Sequence, residues 1–452
     1  MDVSAQQRQT YEAVVKLAEA PFVAERPPLF SPAAAAQDRG NAAGRFGTFA
    51  QMLLPLEYTN WVEENQAHVQ SCYLGDWTPL NKVSVRGPQA LDFLSRLGVA
   101  NLSAFEIGQI KHHLQLDEKG RVASEGVLCR LDQEEFLYTA GSADWLRWQF
   151  SLGTWDAVVT DISPDQFIFG VQGPTSLFVL EKVTGESLRD IGFSRSRAAT
   201  VGSVSVRILR TGISGELGYE IHGSAQAANQ VWDSVLEAGA EFDLRQLGFR
   251  AQPVQHVEAG IATNGLDYLP ASIVTPGAPT QFRRRPFGGS FVPADISDFF
   301  RTPGELGWGP RSKVPDHEFI GRDALGAELA AGGPPRRLVG LIWNKADVAD
   351  VLTSLPGTGD IVEQMEIPRS DAPSFDGVYR NGALIGVSSG RCLSANLRAT
   401  ISLGVLEREL VEAGAEVVVR WGRAGTSQRE IRAQVVALPF KPDHRRVDVT
   451  AL

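Results

Sequence analysis

The sequence predicts an α+β protein with a duplicated core and a C-terminal β-barrel, and three observations carry that expectation. A strand, a glycine turn and a helix start recur as a unit. Short β-branched segments separated by turns fill the chain after residue 336. A length of 452 residues exceeds what one hydrophobic core ordinarily organises, so several domains are expected.

Residues 4–20 read as an amphipathic helix with Tyr11, Val14, Val15 and Leu17 on one stripe, and the Pro-, Ala- and Gly-rich stretch 27–44 reads as a surface connection. The first repeated unit is Val85-Arg86-Gly87-Pro88 followed by Leu91, Leu94 and Leu97. The second is Val171-Gln172-Gly173-Pro174 followed by Leu177, Leu180 and Val183. In both, proline stands at a helix start and the apolar residues recur at helical spacing. Two breaks follow, at 270–289 and 330–335, and the second is taken as a boundary. Beyond it, Arg337–Trp343, Ala383–Ser388 and Glu416–Trp421 are strand-like and suit a small barrel or sandwich. The expected division is 1–45 for helix and connection, 46–330 for the duplicated core, and 331–452 for the barrel.

Composition narrows the function classes. A formal charge of −10 offers phosphate backbones no attractive surface, although Arg283, Arg284 and Arg285 make a local basic patch, so nucleic acid is not expected as a partner. Three widely spaced cysteines form neither a disulfide framework nor a zinc pattern, which fits a reducing cytoplasm and no metal. No apolar run is long enough to span a membrane, and the N-terminus lacks a signal-peptide layout, so a cytoplasmic protein is expected.

The densest motif is Arg210-Thr-Gly-Ile-Ser-Gly-Glu-Leu-Gly-Tyr-Glu220. Its glycines permit tight turns before a strand. Taken alone, it reads either as a hairpin that delivers the Glu220 carboxylate to a defined spot or as an ordinary hairpin with Glu220 in solvent. The pair His112-His113 would face opposite sides of a strand, with no Cys or acid at ligand spacing, and reads as structural. Trp145, Trp148 and Trp155 read as core.

This motif strongly resembles the folate-site signature of the glycine-cleavage aminomethyltransferase family. The resemblance continues through Val257-Glu-Ala-Gly260, Thr302–Trp308, Phe319–Leu325 and Ile385–Gly390. Thr59-Asn-Trp61, Gly288–Val292, Leu306–Pro310, Asp316–Leu325 and Leu341–Asn344 are more similar to the tetrahydrofolate-dependent aryl ether O-demethylases of the same fold. The resemblance implies a three-domain cloverleaf of the aminomethyltransferase folate-binding fold, with two intertwined folate-binding domains before the barrel. It also implies tetrahydrofolate as cofactor, no metal, and Glu220 on the pterin ring, with Gln172, Ile213, Ile261 and Ser124 as further folate-site positions.

Departures from the family pattern shape the expected substrate. Where aminomethyltransferases carry a catalytic Asp, in the loop matching 120–126, this chain has Ser124 and Glu125. Gln252 stands at the position of their folate-site Arg and of a catalytic Tyr in vanillate demethylase, and it has no transferable proton. His256, four residues on, would share a helical face with Gln252 and is the available proton donor or acceptor, or else a packed or surface histidine. The two cations that grip a benzoate carboxylate in vanillate demethylase fall near Pro79 and Ala140–Ala143, where neither survives. A buried carboxylate without a cation is costly, so a neutral aromatic ether is expected. The sesamin-metabolising enzymes that take a methylene from a methylenedioxy lignan are the branch resembled. O-demethylation to methyl-tetrahydrofolate, amine transfer, and folate binding without catalysis through a cysteine such as Cys392 are the alternatives.

Overall fold

Each repeated unit seeds a sheet. Strand Asn81–Arg86 turns at Gly87 towards helix Ala90–Leu97, and strand Gln166–Gln172 turns at Gly173 towards helix Ser176–Thr184. Both glycines are required by conformation and by space. They sit at φ 128° and 133°. A Cβ on Gly87 would lie 2.7 Å from the backbone oxygen of Asp156, and one on Gly173 would lie 2.4 Å from that of Ser71.

The computed structural model describes residues 3–17, 28–279, 287–310, 312–370 and 372–452. The first unit belongs to a five-stranded sheet in the order Ile110–Leu116, Val122–Asp132, Glu135–Ala140, Asn81–Arg86, Val158–Asp161. The second belongs to a six-stranded sheet in the order Ser196–Val201, Val204–Leu209, Gly218–Ser224, Gln166–Gln172, Cys72–Asp76, Leu244–Leu247. The chain enters the six-stranded sheet at Cys72, leaves it to build the five-stranded sheet, and returns at Gln166, so the two halves are interwoven. Helices Ser176–Thr184 and Ala228–Gly239 cover one face of the six-stranded sheet, burying Leu74, Phe169, Val171, Tyr219 and Ile221 beneath Leu177, Leu180 and Trp232.

After residue 335, six strands close into a barrel: Arg336–Trp343, Ala399–Glu407, Ala383–Ser394, Phe375–Arg380, Glu416–Trp421 and Arg429–Val436. Closure removes the exposed edges that short β-branched strands would otherwise present.

Two expectations need correcting. The stretch 27–44 is not simply a surface connection, because Ala34–Asp38 is helical and Ala33 and Ala36 are buried in the core of the six-stranded sheet. Alanine side chains this small let the backbone close on helix Ala228–Gly239, where the Ala36 N–H donates to Asn229 Oδ1 at 2.8 Å. The segment 120–126, expected as a loop, passes into strand Val122–Asp132 after a turn at Gly120. The N-terminal helix Val3–Leu17 seats Tyr11 and Val14 against Leu29 and Met52. The basic patch Arg283–Arg285 lies outside the described residues. Among the described residues, no helix is long and apolar enough to cross a membrane.

Candidate active site

Alternation along strands decides which side chains meet. On the six-stranded sheet, the face away from the helices carries Tyr73, Gln172, Glu220 and His222, because Gln172 pairs with both Tyr73 and Gly218, and Gly218, Glu220 and His222 are successive same-face positions. Three cross-strand neighbours on that face are glycines: Gly75, Gly170 and Gly218. They leave room beside Glu220 for side chains from elsewhere on the chain. A Cβ on Gly170, directly opposite Glu220, would lie 2.3 Å from Trp77 Nε1, and one on Gly218 would lie 2.7 Å from Gln172 Cγ. Trp77 and Gln172 therefore occupy the space those glycines vacate.

The motif residues divide their work. Gly212 admits Gln172, whose Oε1 accepts from the Ser214 N–H at 3.1 Å and the Ser214 hydroxyl at 2.7 Å. Ile213 lies half-buried beside this contact. Arg210 is buried and donates to backbone carbonyls of Ile191 and Val447. Glu216 pairs with Lys441 and, at 2.7 Å, with His444 Nδ1. Two of the three charged residues thus anchor the hairpin to the C-terminal tail. Glu220 is the third, with its side chain 16% exposed and its Oε2 2.9 Å from His222 Nε2.

Among the described residues, buried polar atoms without a partner include Tyr73 Oη, Trp77 Nε1, Gln172 Nε2, Gln252 Nε2 and both side-chain polar atoms of Gln255. Buried polar atoms are ordinarily satisfied, so Trp77 beside Gly170 and Tyr73 near Gln255 and Glu220 are candidates to meet a polar guest. Tyr73 lies beside Gln255, and burial, reinforced by the Glu220 charge, raises its pKa well above the usual range. Donors and acceptors of both kinds, an aromatic ring and a carboxylate suit a flat heterocycle with ring N–H groups, such as the pterin of tetrahydrofolate.

Gln252 and His256 come from a tight pair of helical turns, Gln252–Val254 and Gln255–Glu258, and both are buried. His256 Nε2 is 3.0 Å from Asp267 Oδ2 and 3.1 Å from Arg369 Nη1. Burial lowers the imidazole pKa and Arg369 adds to this, outweighing Asp267, so the ring is neutral at pH 7. A neutral ring relays or accepts a proton; it does not store one for donation. Gly390, at φ 64°, lets the barrel reach this pair, since a Cβ there would lie 2.5 Å from Asp267 Oδ1. Ile261 closes the same turn, its N–H donating to the His256 carbonyl at 2.8 Å.

Ser124 sits on the other sheet, its hydroxyl 3.3 Å from Tyr138 Oη and 3.2 Å from the Ser142 carbonyl. Tyr268 is a fully buried phenol, without a hydrogen-bond partner among the described residues, whose pKa is raised by burial and by the charges of Glu125 and Asp267. Sequence reasoning missed Trp77, Asp267, Tyr268 and Arg369. It also missed that His112 has an acid partner, Glu125, at 2.7 Å. Cys392 is fully buried and its thiol is pushed up to about 12, chiefly by burial, which leaves it unreactive.

Fold and site together define the class. Residues 37–272 match the GCVT N-terminal domain, and the chain belongs to that family of tetrahydrofolate-dependent one-carbon transferases. Among individual relatives, it is similar to a sesamin methylene transferase of Sinomonas sp., 35% identical over a 414-residue alignment that covers 86% of this chain and 90% of that one. A syringate O-demethylase of Sphingobium sp. is 26% identical over 421 residues, with the same coverage of 86% and 90%. In fold, the glycine cleavage system aminomethyltransferase T from Bartonella henselae superposes with a TM-score of 0.69 over 92% of this chain and 98% of that one, at 21% identity. The cloverleaf expectation is met.

Proposed function

We propose that this chain takes the methylene carbon from a neutral methylenedioxyphenyl compound, a sesamin-like lignan, and delivers it to tetrahydrofolate, leaving a catechol. The observation that carries this reading is the 35% identity to the Sinomonas sesamin methylene transferase over most of both chains. The charge pattern supports it. Residues 140–143 bear no cation, and the cation beside Pro79, Lys82, is fully buried with its Nζ committed to the Thr78 and Leu80 carbonyls at 2.6 and 2.8 Å. Among these residues no cation is free to bind a substrate carboxylate.

Tetrahydrofolate, when bound, supplies a nucleophilic nitrogen for the carbon. Glu220 would orient the pterin through its ring N–H groups, with Gln172, Ile213, Ile261 and Ser124 lining the site and Trp77 as its floor. The chain must also hold the ether carbon in line, worth about 7–11 kcal/mol in favourable cases, and help the departing oxygen gain a proton. We assign that second task to His256, which as a neutral ring would pass on a proton taken from water, with the Gln252 amide as a hydrogen-bond donor that orients the departing oxygen.

Incubating the purified protein with tetrahydrofolate and a panel of neutral and carboxylated aryl ethers, with products resolved by mass, tests the reading. Methylene-tetrahydrofolate with a catechol is expected from a methylenedioxy lignan. Methyl-tetrahydrofolate with a phenol would replace it with O-demethylation. Ammonia release from an aminomethyl carrier, or folate binding without product from any ether, would overturn it.

A further inference from the structure

We propose that His222 is a positioning residue that holds the Glu220 carboxylate in its binding orientation; this rests on the reading of Glu220 as the pterin-binding group. Two residues apart on strand Gly218–Ser224, Glu220 and His222 project from the same face, away from the helix-covered core. The tautomer with its hydrogen on Nε2 donates to Glu220 Oε2 across 2.9 Å. The other ring nitrogen, Nδ1, is buried without a partner. A histidine retained only for packing would be expected to have both nitrogens satisfied, because an orphaned buried nitrogen is unfavourable. Here the ring's one hydrogen bond among the described residues goes to Glu220.

The surroundings explain why a holder is needed. Glu220 stands between Gly170 across one strand and Leu209 across the other, and neither offers a side-chain donor. The residues paired with Glu220 therefore leave the carboxylate without lateral support from their own side chains. Beyond it, a cleft of about 530 Å³ opens between the two sheets, with His222, Arg207 and Gln166 in its wall. Without His222 the carboxylate could swing towards that cleft and its water. With Oε2 held by the ring, Oε1 and the remaining lone pairs stay aimed at the guest.

The test is a double-mutant cycle on tetrahydrofolate affinity, measured by calorimetric titration of the full chain, with thermal unfolding of each variant as a folding control. His222→Ala should weaken binding by about 10-fold or more, and His222→Gln, whose amide can donate to Glu220, should recover most of it. Glu220→Ala should weaken binding further, and Glu220→Ala with His222→Ala should be no weaker than Glu220→Ala alone, because His222 acts only through that carboxylate. Additive losses, or unchanged affinity in a folded His222→Ala protein, would overturn the inference while leaving Glu220 in its role. Unchanged affinity in Glu220→Ala would overturn both.

Discussion

Replacing Glu258 with alanine should cost this protein about 2–6 kcal/mol of stability, at about 1–3 kcal/mol for each of the two buried polar groups it leaves without that contact. Glu258, from the Val-Glu-Ala-Gly motif, is fully buried where three parts of the molecule meet. Its carboxylate lies 2.9 Å from His68 Nε2 on helix Trp61–Gln70. It accepts from Ser394 Oγ at 2.5 Å and from Asn396 Nδ2 at 3.1 Å, both at the end of a barrel strand. Burial pushes the carboxyl up, but the hydrogen bonds from His68, Ser394 and Asn396 and the His68 charge outweigh it and hold its pKa below the ordinary value. Each donor orphaned by the substitution costs about 1–3 kcal/mol. Asn396 keeps the Asn65 carbonyl at 3.1 Å, so the loss falls on His68 and Ser394, which keeps the total in the stated range. The assay is urea unfolding of the parent, Glu258→Ala and Glu258→Gln at neutral pH. Glutamine keeps an acceptor for Ser394 and should lose less than alanine. A depressed folded pKa means that the stabilisation is present above the unfolded value of about 4.3 and is lost as pH falls through the folded one. The gap between parent and alanine variant should therefore narrow only below about pH 4.3. A loss under about 1 kcal/mol in the alanine variant, less than one orphaned donor is worth, would refute the clasp.

Other expectations follow from the same geometry. His256→Ala should lower kcat by about 10²–10⁴-fold at nearly unchanged ether KM, and unchanged kcat would return His256 to a packing role. His113 is fully buried, and burial lowers its pKa from 6.5 to about 4. The unfolded chain thus takes up a proton that the native state refuses, and stability should fall as pH drops from 6.5 towards 4, by about 1.4 kcal/mol per unit. In His113→Gln the slope of urea midpoint against pH should flatten across that window, and an unaltered slope would refute the assignment. Gly212→Ala would place a Cβ 2.4 Å from Gln172 Oε1. It should cost about 1–3 kcal/mol and weaken tetrahydrofolate binding, as thermal unfolding and titration would show.

What was legible in the sequence was local. The glycine turns at Gly87 and Gly173 announce themselves because φ near 130° excludes other residues, and the helices that follow carry their own periodicity. Glu220 was singled out by the resemblance of its motif to the family's folate-site signature, because the glycines before it alone fit a solvent-exposed carboxylate as well. The partners were not, because they arrive from distant strands: Trp77 lies where Gly170 has no side chain, and Asp267 meets His256 through a turn. His112 finds Glu125 diagonally across an antiparallel pair, in a register that a single strand does not disclose. The alanines at 33 and 36 were misread because small side chains look like loop composition until a facing helix is known.

The anchoring of Glu216 by Lys441, 225 residues downstream, has a consequence for synthesis on the ribosome. At about 5–20 residues per second, the hairpin that carries Glu220 emerges roughly 10–45 s before the tail that braces it. Until then Glu216 and Arg210 lack the partners that the tail supplies, and the nascent folate hairpin is braced only from within its own sheet. The bracing of that hairpin therefore waits until residues 441–447 have been made. Fusions or truncations that displace residues 441–447 should yield protein whose barrel and sheets are formed but whose Glu220 hairpin is loose.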